Sequence, residues 1–207
     1  MSFIGIKNLG LWRAIILFIV LVVYNLGSVS NSYSLERLSA ERLIKNISEK
    51  VNGVISSSSS QEEVITELEE IFKKYADTDI MSLTSLGPAR RRASEVQLDN
   101  FKSAFQRYFL NKYARRFREL QDGEISILSS RSVRSIVEVK TRIRLIDWAP
   151  FEVVWLVSDR SGEIKIFNII IDGINLLSSE RTEIGVMLEN RNGDIDLLSR
   201  DLRKLYH

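Results

Sequence analysis

Hydrophobic residues recur at helical spacing from about residue 35 to residue 118. Intervals of three and four residues predict four helical stretches before the first convincing strand. Ser60, with Glu63 three positions later, forms a predicted capping box, because hydroxyl and carboxylate can each satisfy the other's backbone N–H. Gly87-Pro88 ends a short helix, and Ser94 with Gln97 begins the longest one.

The longest predicted helix carries an aromatic face. Its members, spaced by three, four and eight residues, are Phe101, Phe105, Tyr108, Phe109, Tyr113 and Phe117. Such a stripe is more often ordinary core than the wall of a ligand site. Both interpretations stay open from the helical pattern alone.

The second half of the chain changes to a period of two, which is typical of strands with one wet face. In "SVRSIVEVKTRIRLIDW" one predicted face is apolar apart from Thr141, and the other is charged with Ile136 as its exception. The apolar face comprises Val133, Val137, Val139, Ile143 and Leu145. The next strand, "FEVVWLVSD", turns Phe151, Val153, Trp155 and Val157 to one side.

The chain then turns at "RSG", returns as "EIKIFNIII", and turns again at Asp172-Gly173, where Asp-Gly is expected for backbone reasons. Two helices close it, the second capped by Asp194. Helices, then an antiparallel meander, then helices predict an α+β fold, with a helical part over 34–120, a sheet over 124–177 and C-terminal helices over 178–205.

Residues 1–30 stand apart from this pattern. Lys7 and Arg13 precede an apolar run, Ala14–Leu26, and the small residues of Ser28–Ser30 follow. As a helix the run spans about 20 Å, less than the roughly 30 Å of a bilayer core. The segment therefore predicts a cleavable secretion signal, with a retained N-terminal anchor as the alternative.

Composition narrows the possible chemistry. Cys is absent and the single His is His207, the last residue. These two facts exclude thiol chemistry, disulfides, His-based triads and ordinary zinc sites. The composition is compatible with catalysis by carboxylates alone and with a function that involves no catalysis. We expect no metal and no cofactor.

Charge is unevenly distributed. Cleavage near Ser30 removes two of the 29 basic residues and none of the 27 acidic ones, so the mature chain is formally neutral. Between Arg90 and Arg144, however, 14 Lys/Arg stand against six Asp/Glu. The segment holding Arg115, Arg116 and Arg118 is either a solvated face or an electrostatic dock for acidic headgroups or an acidic partner. Nucleic acid does not fit an exported protein.

Two stretches resemble a known family. They are "DTDIMSLTSLGPARRRASEVQLDNFKSAFQRYFLNKYARRF" and "GEIKIFNIIIDGINLLSSERTEIGVMLENRNGDIDLLSRDLRKL". The family is that of the periplasmic MlaC-type phospholipid carriers, the toluene-tolerance auxiliary components of an ABC transporter. The matching positions are Leu86-Gly87, Phe167, Asp172-Gly173 and Arg181, whereas Ile164 stands where the family commonly has Trp and Asn168 where it usually has Asp.

The resemblance implies a cone-shaped, nuclear-transport-factor or cystatin-like fold, in which N-terminal helices pack on a curved antiparallel sheet around an apolar cavity. It implies a single periplasmic domain over 31–207, a monomer without enzymatic activity or cofactor, that carries phospholipid. Its partners would be an inner-membrane ABC transporter complex with a membrane-anchored substrate-binding subunit, and an outer-membrane lipoprotein complex. Such a carrier serves outer-membrane lipid asymmetry.

On this interpretation the aromatic stripe and the one-sided strands face each other as two walls of the cavity. The predicted lipid-contact residues are Phe101, Phe105, Tyr108, Phe109, Tyr113, Val137, Val139, Ile143, Val153, Trp155, Ile169 and Ile171. The predicted docking residues are Arg115, Arg116 and Arg118.

Two alternatives belong to other classes. The protein could bind another hydrophobe, such as a hopanoid-like lipid, or be an interaction module with a filled core. Related cone-shaped folds also host isomerases that use an Asp and a Tyr in an apolar pocket, which Asp172, Tyr108 and Tyr113 could supply.

Overall fold

The helical half precedes the sheet, as the pattern predicts. A computed structural model describes residues 36–57, 60–118, 123–145 and 148–205, without the side chains of Gln61 and 114–118. The predicted signal segment lies outside these residues. The first four α-helices are α1 Arg37–Ser57, α2 Gln61–Tyr75, α3 Thr78–Leu86 and α4 Glu95–Arg118, with a 3-10 helix, Gly87–Arg91, between α3 and α4.

Local side-chain caps set where these helices begin. The Glu63 N–H donates to Ser60 Oγ at 3.2 Å while the Ser60 N–H donates to Glu63 Oε2, also at 3.2 Å, which confirms the capping box. Ser94 and Gln97 exchange the same pair of bonds at the start of α4. No described helix is long and apolar enough to cross a bilayer.

The strands form one antiparallel sheet in chain order. They are β1 Glu124–Val133, β2 Ile136–Arg144, β3 Phe151–Ser158, β4 Lys165–Ile171 and β5 Ile174–Asn175. Two helices follow, α5 Leu176–Glu189 and α6 Ile195–Leu202. This order confirms the α+β class. The Asp77 N–H donates to the Ile166 carbonyl at 2.7 Å, which ties the end of α2 to β4.

The cross-strand register places the predicted apolar positions on one face of the sheet. Val139 lies opposite Trp155, and Trp155 lies opposite Ile169. In the next row Thr141 lies opposite Val153, which lies opposite Ile171. Residues directly opposite each other in an antiparallel pair share a face, so these side chains form one surface, called here the inner face.

Val133 corrects the predicted strand boundaries. It was assigned to the apolar face of β2, but it is the last residue of β1 and pairs with Ile136 across a turn at Arg134 and Ser135. Val133 and Ile136 therefore lie together on the outer face, which accounts for the exceptional Ile136. The sequence of strand β1 does not show the alternation of apolar and polar residues, because a bulge between Ile127 and Ser129 shifts its register.

The turn at Asp172-Gly173 connects β4 to β5 as predicted. Both residues have positive φ, 47° and 84°, the combination that a two-residue turn needs and that Gly adopts without strain. Asn175 then caps α5 by accepting the Ser178 N–H at 3.0 Å, and Asp194 caps α6 by accepting the Leu197 N–H at 2.9 Å.

Candidate functional site

The aromatic stripe of α4 lies inside a helical core. Phe101, Phe105, Tyr108 and Phe109 are between 0% and 4% exposed, and the Phe109 ring stacks on Phe72 of α2 with centroids 5.3 Å apart. The other buried members of this helical core come from α3, the segments beside it, α4, α5 and α6, and they are Ala76, Met81, Leu86, Ala89, Ala104, Leu177, Ile184, Leu188, Ile195, Leu198 and Leu202.

The packing also gives the stripe partners that its spacing did not indicate. Among the described residues, the helical core has no member from β1 to β5, so the stripe and the one-sided strands belong to separate clusters. The reason is that α5 and α6 return to α4 and present their own Leu and Ile side chains to the stripe. Lipid contact by Phe101, Phe105, Tyr108, Phe109 and Tyr113 stays a prediction.

One end of the inner face is closed by α1. Val137, Val139 and Val157 are fully buried, Ile166 is 6% exposed, and these residues pack against Ala40 and Ile44 of α1. The predicted wall residues Val137 and Val139 are thus placed under a helix.

The other end of the inner face carries a cluster made of sheet residues, here called the strand-end cluster. Ile143, Leu145 and Val153 form its buried part. The half-buried residues packed on it are Ile125, Phe151, Trp155 and Ile169. No described helix residue belongs to this cluster, although Trp155 and Ile169 also pack against the cluster under α1. Ile171 extends the same face, because it lies opposite Val153.

The one polar position on this part of β2 is satisfied internally. Trp155 Nε1–H donates to Thr141 Oγ1 at 2.9 Å, and the Thr141 hydroxyl donates to the Val153 carbonyl at 3.2 Å. Both polar groups are consequently used, and the surface around Trp155 presents hydrocarbon. A surface without unpaired donors or acceptors suits acyl chains, which can form no hydrogen bond.

A buried charged network, which the sequence pattern did not predict, joins α4 to α5. Lys112 Nζ donates to Glu180 Oε1 at 2.8 Å, to Tyr108 Oη at 2.9 Å and to Glu183. Tyr108 donates to Glu183 Oε1 at 2.8 Å, and Tyr113 donates to Glu180, whose side chain is fully buried. Lys112 lies 68 and 71 positions before its two acidic partners, so no local motif marks the network.

The network sets the ionisation of its members. Burial alone would lower the pKa of Lys112, but the hydrogen bonds and charges of Glu180 and Glu183 outweigh burial and raise it above 10.5. Burial likewise opposes ionisation of Glu183, yet hydrogen bonds from Lys112 and Tyr108 hold its pKa below 4.5. The ammonium and the Glu183 carboxylate therefore stay charged near neutral pH.

The three residues of the enzyme alternative are not brought together. Asp172 lies at the β4–β5 turn, where its carboxylate accepts the Glu152 N–H at 3.0 Å. Tyr108 and Tyr113 instead donate to Glu183 and Glu180 of the charged network. The arrangement offers Asp172 a structural role in the turn.

The outer face of the sheet pairs much of the basic middle segment with acids. Arg131 bonds Glu138 at 2.6 Å, and Arg144 bonds Glu124 at 2.9 Å. Glu152 accepts from Lys140 and Arg142, and these hydrogen bonds lower its pKa. The side chains of Arg115, Arg116 and Arg118 lie outside the described set, so their docking role stays a prediction.

Asn168 has a hydrogen-bonding role that depends on its amide. It is buried, accepts the Leu177 N–H at 3.1 Å through Oδ1, and donates through Nδ2 to Asn175 Oδ1 at 3.0 Å. An Asp in its place could not donate to the oxygen that caps α5. The Asn therefore fits this chain, in which position 175 is also Asn.

A groove of mixed character lies elsewhere. It runs between α2 and α4, has a volume of about 480 Å³, and is lined by Glu62, Ile65, Thr66, Glu69, Arg107, Leu110 and Asn111. Carboxylates and a guanidinium line this groove, so it does not suit hydrocarbon as the strand-end cluster does.

The fold and the apolar inner face define an α+β protein with a one-sided antiparallel sheet. The family model named "MlaC protein" matches residues 44–204, and the chain belongs to that family. Its structure is similar to that of the phospholipid-binding protein from Ralstonia solanacearum, which was solved in complex with a phospholipid. The TM-score is 0.70 at 16% sequence identity, over 80% of this chain and 95% of that one. No curated protein matches this chain.

Proposed function

We propose that this protein is a periplasmic phospholipid carrier that holds acyl chains against the strand-end cluster. The observation that carries the proposal is an apolar sheet surface, Ile143, Val153, Trp155 and Ile169, whose cluster contains no described helix residue. Membership of the MlaC family and the fold shared with a phospholipid-binding protein support the choice of ligand.

The energetics explain why such a surface is useful. Each methylene moved from hydrocarbon into water costs about 0.8 kcal/mol, so a sixteen-carbon chain costs about 12 kcal/mol. A two-chain lipid cannot cross an aqueous compartment freely at that cost. A protein surface of similar polarity to the membrane interior brings the transfer close to neutral, and small differences in affinity then set its direction.

The proposed division of labour follows the packing. Ile143, Val153, Trp155, Ile169 and Ile171 contact the acyl chains, and the headgroup stays in solvent. Val137 and Val139, buried under α1, hold the sheet in place, and the aromatic stripe holds the helices.

The proposed route begins with export. The N-terminal segment directs the chain to the periplasm and is removed, so that the mature monomer starts near Asn31. It exchanges lipid with an inner-membrane ABC transporter complex, through its membrane-anchored substrate-binding subunit, and with an outer-membrane lipoprotein complex. Such exchange serves outer-membrane lipid asymmetry and toluene tolerance.

Sequencing the N-terminus of the purified protein tests the export step; an intact Met1 on a membrane-bound form would contradict it.

Lipid occupancy is the decisive test. The protein is purified without detergent and extracted with organic solvent. The extracted lipids are then identified and quantified by mass spectrometry. We expect phospholipid close to one molecule per chain, and renewed uptake from vesicles after delipidation. Folded protein that carries no lipid and takes none up would refute the proposal, and a different extracted hydrophobe would replace phospholipid as the ligand.

A further inference from the structure

One row of the inner face leads from the buried wall to solvent. In this row Val153 lies opposite Ile171, and Ile171 lies opposite Ile174. The exposed fraction rises along it, from 2% at Val153 to 38% at Ile171 and 65% at Ile174. The apolar surface of the strand-end cluster thus continues without interruption to an exposed sheet corner.

A second loop ends at the same corner. The β2–β3 connection carries Trp148, which is 61% exposed, just before Phe151 at the start of β3. The β3 and β4–β5 segments are tied there by two bonds, from the Asp172 N–H to the Glu152 carbonyl and from the Glu152 N–H to Asp172 Oδ1, each 3.0 Å long. The exposed corner is defined as Trp148, Ile171 and Ile174, and these two bonds fix the strand ends beside Ile171 and Ile174.

The geometry points to direct contact between this exposed corner and a phospholipid bilayer, with the corner as the entrance through which acyl chains reach the strand-end cluster. This inference rests on the proposed function. A Trp joins an apolar ring to an N–H donor, which favours the headgroup boundary, and exposed Ile side chains can enter the hydrocarbon beneath it.

The charges around the corner favour a bilayer over an acidic or basic protein. On the outer face of the strands that lead to the corner, Lys140 and Arg142 pair with Glu152, and Arg144 pairs with Glu124. With Asp172 in the β4–β5 turn, three basic side chains stand against three acidic ones. A locally neutral rim around exposed hydrocarbon gives no electrostatic preference, so contact depends on apolar insertion and withstands salt.

Vesicle binding tests the contact directly. Wild-type protein is floated with vesicles of zwitterionic phospholipid alone, at low and high salt, and compared with the Ile174→Asp variant. We expect wild type to float under both conditions and the variant to lose most of its binding. Val186→Asp is the matched control, since Val186 is also an exposed apolar residue, 53% exposed, but lies on α5; it should float like wild type.

Fluorescence of Trp148 gives a second measurement on folded protein. The signal of Trp148 is the difference between wild type and the Trp148→Phe variant. Vesicles with brominated acyl chains should quench that signal. Aqueous iodide should quench it less in the presence of vesicles than in their absence. An unquenched Trp148, or wild type that fails to float, would overturn the inference.

The outcomes separate this inference from the proposed function. Ile174→Asp should keep the lipid it carries after purification while its transfer to and from vesicles slows severalfold. Transfer at the wild-type rate would overturn the entrance, even with the carrier function intact. Absence of lipid from wild type would overturn the carrier function itself. If light scattering shows a dimer that Ile174→Asp disrupts, the corner contacts a second copy of the chain, and the bilayer contact is wrong.

Discussion

The aromatic stripe of α4 and the inner face of the sheet carry the same kind of sequence signal with different structural results. Both are one-sided apolar patterns of the correct period. The stripe is buried by α3, α5 and α6, whereas the strand-end cluster contains no described helix residue, although Trp155 and Ile169 also pack against the cluster under α1. Periodicity therefore identifies the face that turns away from water, but the elements that return to that face decide between core and binding surface.

Phe105 and Trp155 give the largest contrast between the two regions. Phe105 is 1% exposed inside the helical core, so Phe105→Ala should lower the free energy of unfolding by about 3–5 kcal/mol. Trp155 is half-buried at the strand-end cluster, where truncation enlarges a surface instead of opening a closed cavity. Trp155→Ala should cost the lipid-free protein about 1–2 kcal/mol, which is within the ordinary range for point substitutions. Urea denaturation of delipidated samples measures both, and equal losses would erase the distinction.

Much of the fold could be predicted because its signals are local. The Ser60–Glu63 box, the Ser94–Gln97 pair and the Asp172-Gly173 turn each lie within four residues, and all three occur as predicted. The inner-face residues of β2, β3 and β4 also follow from the period of two.

The remaining features depend on long-range contacts. Strand β1 lies within the predicted sheet range, but no alternation marks it, because its bulge and its serines, such as Ser130 opposite Val139, break the apolar pattern. The partners of the α4 stripe come from helices that follow the sheet, and no spacing within α4 reveals them. Lys112 looks like any helix-surface lysine until α5 brings Glu180 to it.

The charged network lets the helical core be tested without removing any aromatic ring. Lys112→Met leaves the fully buried Glu180 without its cation and should lower the free energy of unfolding by about 2–3 kcal/mol at neutral pH, since Lys112 and Glu183 are partly exposed. Lys102→Met is the matched control. Lys102 also lies on α4 and also forms ion pairs with two carboxylates, those of Asp79 and Asp99, but both of these carboxylates are exposed. It should cost less than about 1 kcal/mol.

The pH dependence of that difference follows from the two pKa shifts. Glu183 has a pKa held below 4.5, so its contribution is present above pH 4.5 and is lost as pH falls through the lower folded value. Lys112 has a pKa raised above 10.5, so its contribution is present below pH 10.5 and is lost as pH rises further. The difference in free energy of unfolding between wild type and Lys112→Met should be constant from about pH 5 to pH 10 and should become smaller below pH 4.5. A difference that grows in acid would contradict the ion pair.

A polar substitution at Trp155 tests whether the strand-end cluster holds lipid. Trp155→Gln should fold, because the residue is half-buried, and should carry about fivefold less lipid, which corresponds to ~1 kcal/mol of lost contact. Ile136→Gln is the control, since Ile136 is half-buried on the outer face of the same sheet. Lipid per protein, measured beside thermal melting, should fall in the first variant alone. If Trp155→Gln melts normally with full lipid, the wall assignment of Trp155 is wrong.

The smallest expected effect comes from reversing surface charges. These substitutions should leave the helical core and the strand-end cluster unchanged. Replacing Arg115, Arg116 and Arg118 with Glu should leave bound lipid unchanged and slow transfer to acidic acceptor vesicles about threefold to tenfold at low salt, because exposed charges steer encounters and do not hold acyl chains. The effect should vanish near 1 M salt, where the screening length is about 3 Å. Replacing Arg90, Arg91 and Arg92 with Glu reverses the same number of charges elsewhere and serves as the control. Slowing that persists at high salt, or that is equal for both triple variants, would show that these three arginines form no specific dock.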